Sequence, residues 1–353
     1  MEGLSPVLIL GILLTSGFLA GLAARAVGLP RIIGYIIVGI LFSHGLLGGK
    51  FNFSTEGWAP VLTNIALGII AYLVGSEINL NNLRKEEKTV ISAVLGQSIG
   101  AIAFLSFGLW GLSSIFSFLP HINFYQALVF GAVAIATAPA TSIGIIEEYG
   151  AKGKLTDDLL GIIAVDDAIG IIFFTLILGI SADTALAENL LTGLKELGGS
   201  LLLGGGLGAA LGLLGKYSTS ENLRLSMMIG FIFVAFGVSK LFYFSILLSC
   251  MTLGLVSELF YPRKQKEWLL PLQHLEELVF LLFFTLAGIK FKLDIFLNSV
   301  VLILIYILLR VSGKYIGAYL GMGLAGSEKK TRRLLGLCLF PQAGVAIGLA
   351  ILA

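Results

Sequence analysis

Asp166 and Asp167 stand side by side inside residues 159–178, an otherwise apolar stretch long enough to cross a bilayer. A carboxylate at the centre of a membrane helix costs about 2.5–3.5 kcal/mol on insertion scales, so an acid there marks a functional site by default. Two adjacent acids point to a protonatable cation site. On a helix their side chains diverge by about 100°, so that one can line a cavity while its neighbour faces an adjoining helix. This disfavours an intramembrane aspartyl protease, whose carboxylates converge from separate helices to share a proton. It suits a transporter in which cation and proton compete for one carboxylate. The plainer alternative is a structural ion pair, or neutral acids held by hydrogen bonds.

Two prolines interrupt other apolar segments, Pro139 in Ala136-Thr-Ala-Pro-Ala-Thr-Ser142 and Pro341 in Leu339-Phe-Pro-Gln-Ala-Gly344. Proline removes one helical hydrogen bond and frees carbonyls nearby. Such backbone is tolerated at membrane depth only inside protein or beside water, and broken helices at matched positions mark a transporter's substrate site. Thr137, Thr141 and Ser142 flank the first break, where their hydroxyls can cap the restarting helix or offer oxygen to a cation. Intramembrane cations are few. Lys290 lies near the end of one segment, where it pairs with an acid or snorkels to the headgroups. Arg310 is deep in another, with Lys314 one turn later, and is expected to pair with an acid, Glu77 being a candidate. Glu276 and Glu277 read as first-turn acids that complement a helix dipole.

The elements that must position these residues follow from composition. The chain is 57% hydrophobic and 12% charged, with a mean hydropathy of +0.98. That describes an all-α polytopic membrane protein rather than a soluble domain. Its 45 glycines suit helices that approach closely through small residues. A net charge of +2 gives no argument for nucleic acid, and no metal-ligand cluster, cofactor motif or enzyme chemistry is expected. Cys250 and Cys338 read as small hydrophobes rather than a disulfide. The first segment reads as a retained helix, not a signal peptide.

Twelve apolar segments approach spanning length, near 4–24, 30–48, 58–78, 89–118, 123–147, 156–181, 190–215, 223–239, 241–260, 269–290, 295–325 and 333–353. Basic residues such as Arg25, Arg31, Arg84, Lys85, Lys152 and Arg263 collect on the odd-to-even connections, against Lys50, Lys195, Lys240, Lys290 and Lys292 on the other side. The positive-inside rule then puts the N-terminus outside. An even count leaves the C-terminus outside, so a thirteenth crossing is expected beyond Ala353. Gly75-Ser-Glu-Ile-Asn-Leu-Asn81 and Gly288-Ile-Lys-Phe-Lys-Leu-Asp294 share a pattern seven crossings apart. An odd separation implies inverted-topology repeats, approximately 1–181 and 223–353, in one transport domain over 1–353. The same offset pairs the segments of Pro139 and Pro341.

Val165-Asp166-Asp167 after a broken Thr137-Ala-Pro139 helix, Gly75-x-Glu77, Gly288-Ile-Lys290, residues 310–321 and Phe340-Pro-Gln-Ala-Gly-Val-Ala-Ile-Gly348 together resemble the cation/proton antiporter superfamily, in particular its CPA2 branch of NapA-type sodium/proton antiporters. The resemblance covers essentially the whole chain. It implies an inverted-repeat fold with two crossing broken helices, thirteen helices in core and dimerisation domains, a homodimer in a bacterial or archaeal-type plasma membrane, and an elevator-like movement exchanging Na+, also Li+, for protons. It implies Na+ at Asp167 and Asp166, with Asp167 the principal carboxylate, Asp166 paired with Lys290, and Thr137 at the crossing. The paired acids go with electrogenic exchange. A potassium/proton antiporter of the same fold is the alternative.

Overall fold

The computed structural model describes residues 5–49, 57–77, 87–116, 119–137, 139–181, 186–217, 220–260 and 265–342, and among them the regular structure is entirely helical. The helices are α1 (Pro6–Ala26), α2 (Arg31–Leu41), α3 (Trp58–Glu77), α4 (Glu87–Ile115), α5 (Phe124–Val133), α6 (Pro139–Tyr149), α7 (Lys154–Ser181), α8 (Leu186–Gly215), α9 (Glu221–Phe242), α10 (Ile246–Glu258), α11 (Gln265–Gln273), α12 (Glu276–Ile289), α13 (Leu293–Leu324) and α14 (Lys329–Cys338), with a π turn at His44–Gly48 after α2. Each apolar segment expected from the sequence contains one or two of them. Six stretches among the described residues are long and apolar enough to cross a membrane by themselves: Pro6–Ala26, Arg31–Gly48, Lys88–Ile115, Leu194–Gly215, Glu221–Phe242 and Ile295–Leu324. Phe107, Leu202, Leu304, Leu308 and Leu320 are among the large apolar side chains left exposed, an outer surface that lipid, not water, accommodates.

Two boundaries differ from the sequence expectation. The joint expected at Lys240 lies later, because α9 runs on to Phe242 and Tyr243 then takes a left-handed conformation (φ 58°). Phe244 N–H closes on the Ser239 carbonyl at 2.8 Å, and the Ser245 hydroxyl caps α10 by accepting from Leu248 N–H. The segment expected as one helix over 269–290 is two, parted at His274 and Leu275. Cys250 is buried, Cys338 partly so, and both are free thiols.

The chain divides into two compact units that interleave along the sequence. The first comprises residues 1–76, 143–149 and 200–299, and the second residues 77–142, 150–199 and 300–353. In the first, the buried Tyr72 hydroxyl meets Ser257 Oγ at 3.0 Å and receives Trp268 Nε1–H at 3.3 Å. At one end Arg31 clasps two acids: its backbone N–H donates to Glu148 and its guanidinium to Glu277. A cavity of about 280 Å³ opens there, lined in part by Arg25, Tyr35, Glu147 and Glu276. Glu277 thus does more than complement its helix dipole.

In the second unit α4 and α13 cross with almost no side chain between them. A methyl group on Gly96 would stand 2.3 Å from the Gly317 carbonyl oxygen, one on Gly100 2.2 Å from that of Gly313, and one on Gly321 2.0 Å from that of Ser92. The four-residue spacing keeps these glycines on one face of each helix. In lipid, where burying apolar surface between helices gains little, this close packing is what holds a helix pair together. The crossing also sets the site, because Gln97 follows Gly96 on α4 while Arg310 and Lys314 flank Gly313 on α13.

Gly317→Val is expected to destabilise the protein by about 1–3 kcal/mol, since neither backbone can retreat without spreading the seam. Gly111→Ala on α4, where an added Cβ meets nothing within 4 Å, serves as the control. Thermal unfolding in detergent measures both, and equal midpoints for the two variants would show that the seam opens freely.

Candidate functional site

The site begins with a backbone defect. The α5 helix starts on a reciprocal cap, Asn123 Oδ1 accepting from Gln126 N–H while Gln126 Oε1 accepts from Asn123 N–H, and ends at Val133. Pro139 opens α6, the first helical position being one where its missing N–H costs nothing. It has no proton to offer the carbonyl of Ile135, four residues back. Between the helices the carbonyls of Val133, Ala134, Ile135 and Ala136 all find side-chain donors instead. Gln342 Nε2 donates to Val133 O at 3.1 Å. Arg310 Nε donates to Ala134 O at 3.1 Å and its Nη2 to Ala136 O at 2.9 Å. Lys314 Nζ donates to Ile135 O at 2.5 Å.

The second break is tied to the first by the same guanidinium. After α14 the backbone at Phe340–Gln342 is not helical. Arg310 Nη1 donates to Phe340 O at 2.5 Å and Nη2 to Pro341 O at 3.4 Å. Gln342 reaches back to Val133 and shares a hydrogen bond of 3.0 Å with the Tyr306 hydroxyl. Pro139 and Pro341 therefore belong to segments joined through one buried arginine. The matched prolines announce this in the sequence, although residues 343–353 lie outside the described ones.

The carboxylate sits against this assembly. Asp166 in α7 is 1% exposed. Its Oδ2 accepts from the Thr137 hydroxyl and its Oδ1 from Gln97 Nε2. Lys314 Nζ is 3.8 Å from Oδ2 and donates to Thr137 Oγ1 at 2.8 Å. The Thr137 hydroxyl thus accepts from the ammonium and donates to the carboxylate, one oxygen linking the two charges. Neither ion of this pair is accessible to water, so hydrogen bonds to both are what make it tolerable.

The expected site residues sort as follows. Asp166, Thr137 and Arg310 come together with the Pro139 break. Asp167 is in α7 beside Asp166, but its side chain, like that of Glu77 at the end of α3, lies outside the described residues. Thr141 is partly buried in α6, and the Ser142 hydroxyl is buried without a hydrogen-bond partner. One expectation requires correction. Lys290, expected beside Asp166, is exposed at the end of α12, and Lys314 supplies the ammonium. Among the described residues Arg310, expected to pair with an acid, binds carbonyls, because unwound backbone at two prolines offers several acceptors to one guanidinium, while the side chain of its candidate partner Glu77 lies outside those residues. Sequence reasoning gave no role to Gln97 or Gln342. The signal for Lys314 was present, since four residues from Arg310 places it on the same helix face.

A profile of the family described as sodium/hydrogen exchanger, transmembrane, matches residues 11–353. The chain belongs to the sodium/hydrogen exchanger family. Its members are membrane transporters rather than enzymes, exchanging monovalent cations for protons. The chain is 22% identical over 347 residues to the Na(+)/H(+)-K(+) antiporter GerN of Bacillus cereus, covering 97% of this chain and 86% of that protein. It is 28% identical over 139 residues to the Na(+)/H(+) antiporter NhaP of Pseudomonas aeruginosa, a match covering 37% of this chain and 31% of that protein. Two structures of the sodium proton antiporter MjNhaP1 from Methanocaldococcus jannaschii superpose on it. The structure at pH 8 does so with a TM-score of 0.70 at 18% identity, over 97% of this chain and 85% of that one. The electron-microscopy structure gives 0.78 at 19% identity, over 100% and 85%. The fold is the all-helical sodium/proton antiporter fold in an integral membrane protein.

Arg310→Lys should preserve the charge yet fail to span both breaks, because an ammonium lacks the guanidinium fork. The expected result is a loss of about 1.5–3 kcal/mol in stability and markedly slowed transport. Thermal unfolding and vesicle transport on the same preparation check it, and a Lys variant indistinguishable from wild type would make the guanidinium geometry irrelevant.

Proposed function

We propose that this chain is a secondary antiporter that exchanges Na+, and also Li+, for protons at the Asp166–Asp167 pair. The observation that carries the reading is a buried carboxylate hydrogen-bonded to Thr137 of an unwound helix and paired with Lys314. In this reading Asp167 supplies the anionic ligand that binds either a cation or a proton. Asp166 is anchored by Lys314, Thr137 and Gln97, and answers the charge change beside it. The adjacent acids favour electrogenic exchange. An elevator-like movement gives alternating access, the chain works as a homodimer with its N-terminus outside, and the inverted repeats 1–181 and 223–353 build one transport domain. Both compact units draw on residues of both proposed repeats, which supports that last assignment.

A second reading, K+ in place of Na+, is favoured by the name of one relative, the Na(+)/H(+)-K(+) antiporter GerN.

The test is a proteoliposome assay in which a pH gradient is imposed and Li+, Na+ and K+ are added in turn, with membrane potential free or clamped. Na+ and Li+ should dissipate the gradient faster than K+, and clamping should change the rate. A K+ response equal to or above that of Na+ selects the second reading, and no cation response at all sinks both. Asp167→Asn should abolish coupled exchange while the protein stays folded. Asp166→Asn should retain slower exchange with altered charge per cycle, and lower stability by on the order of 3 kcal/mol because the Lys314 charge is stranded. Normal exchange by Asp167→Asn would remove that residue from the site.

A further inference from the structure

Gln97 is fully buried in α4, and only half of its hydrogen-bonding capacity is used. Its Nε2 donates to Asp166 Oδ1 and, at 3.4 Å, to Ser98 Oγ, which occupies both protons of the amide. An ionised carboxylate only accepts, so the amide must turn its nitrogen toward Asp166 and its oxygen away. That oxygen, Oε1, is buried with no hydrogen-bond partner. Buried acceptors are rarely left unmet, and one that is calls for a missing ligand.

We propose that Gln97 Oε1 is a neutral oxygen ligand of the transported alkali cation and sets its size preference. The inference rests on the antiport reading above. A proton is satisfied by one base, whereas a cation that sheds its water needs several oxygens to replace the shell. The amide adds such an oxygen without adding charge, so it favours cation over proton while leaving the charge balance of exchange untouched. Its position is fixed by backbone rather than by a flexible surface. Gly96, the preceding residue, lies in the close glycine seam of α4 and α13, and the amide nitrogen is tethered at Asp166. A ligand held that firmly discriminates between ions of different radius.

Two variants separate this role from one of merely orienting Asp166. Binding of Li+, Na+ and K+ to the purified full-length chain is measured by calorimetry at alkaline pH, where protons compete least, and exchange is followed in proteoliposomes. Gln97→Leu should raise the half-saturating Na+ concentration about tenfold or more, the loss expected for one interaction with a charged partner. Gln97→Asn keeps an amide but draws the oxygen back by one bond length, about 1.5 Å. It should change the ratio of Na+ to K+ affinity, and Gln97→Asn alone decides the matter if the Leu variant does not fold. A purely orienting amide predicts that all three cations weaken by one common factor, and an unchanged ratio overturns the proposal. Should wild type bind no alkali cation, the antiport reading itself falls, a result distinct from an intact wild type with an unaltered variant.

Discussion

Four consecutive carbonyls, those of Val133, Ala134, Ile135 and Ala136, impose the constraint from which the site grows. They sit where Pro139 interrupts a helix in a chain built for lipid, and a backbone acceptor without a donor there costs several kcal/mol. Water is the ordinary remedy, but this segment is buried. Side chains therefore supply the protons, and three of the four bonds come from cations, Arg310 and Lys314. Buried cations in turn require a counter-charge. Asp166 provides one, and its own oxygens then need Thr137 and Gln97. The proline, the basic residues and the acid are thus successive answers to one defect.

The geometry of α13 makes that chain of answers possible. Arg310 and Lys314 are separated by one helical turn, so both leave the same face and reach adjoining carbonyls. Their reach depends on backbone proximity, which the glycine seam of α4 and α13 supplies. Every partner of Asp166 described here, and every donor to the first break, belongs to the second compact unit. Under the proposed elevator movement this matters directly. The carboxylate, its cation and both prolines belong to one unit, so such a movement would carry the site's own hydrogen bonds along with it.

What the sequence disclosed was governed by rarity. Acids and prolines are uncommon inside spanning segments, and Asp166, Thr137, Pro139 and Pro341 stood out for that reason. Lysines near segment ends are common, and nothing local distinguishes a snorkelling lysine from a buried one. The resemblance favoured Lys290, yet that residue is exposed while Lys314 is fully buried. The discriminating clue was the spacing from Arg310, not the motif around Lys290. Gln97 was invisible because an uncharged amide in a helix demands no partner on composition alone, and only coordinates show which oxygen is left over. The joint at Tyr243 was displaced by three residues and the one at His274 missed, because neither the handedness of a residue nor a delayed break is written in hydropathy. Tyr243 takes a left-handed conformation without being glycine, and the second break falls three residues after Pro271 rather than at it.

The formal charges around the proline break bear on how antiport moves charge. With Asp166 and Asp167 ionised and Arg310 and Lys314 protonated, the four side chains sum to zero. A bound monovalent cation raises the sum by one, and so does a single proton on Asp167. Exchange of one cation for that one proton would therefore move no net charge. Electrogenic exchange, as proposed, needs a second proton on the inward or outward stroke, and the group proposed to carry it is the Asp166–Lys314 pair, buried and linked through the Thr137 hydroxyl. Under the proposed electrogenic reading, the second acid and its lysine are thus the groups that would separate a current-carrying exchanger from a silent one, while Arg310 stays committed to its four carbonyls.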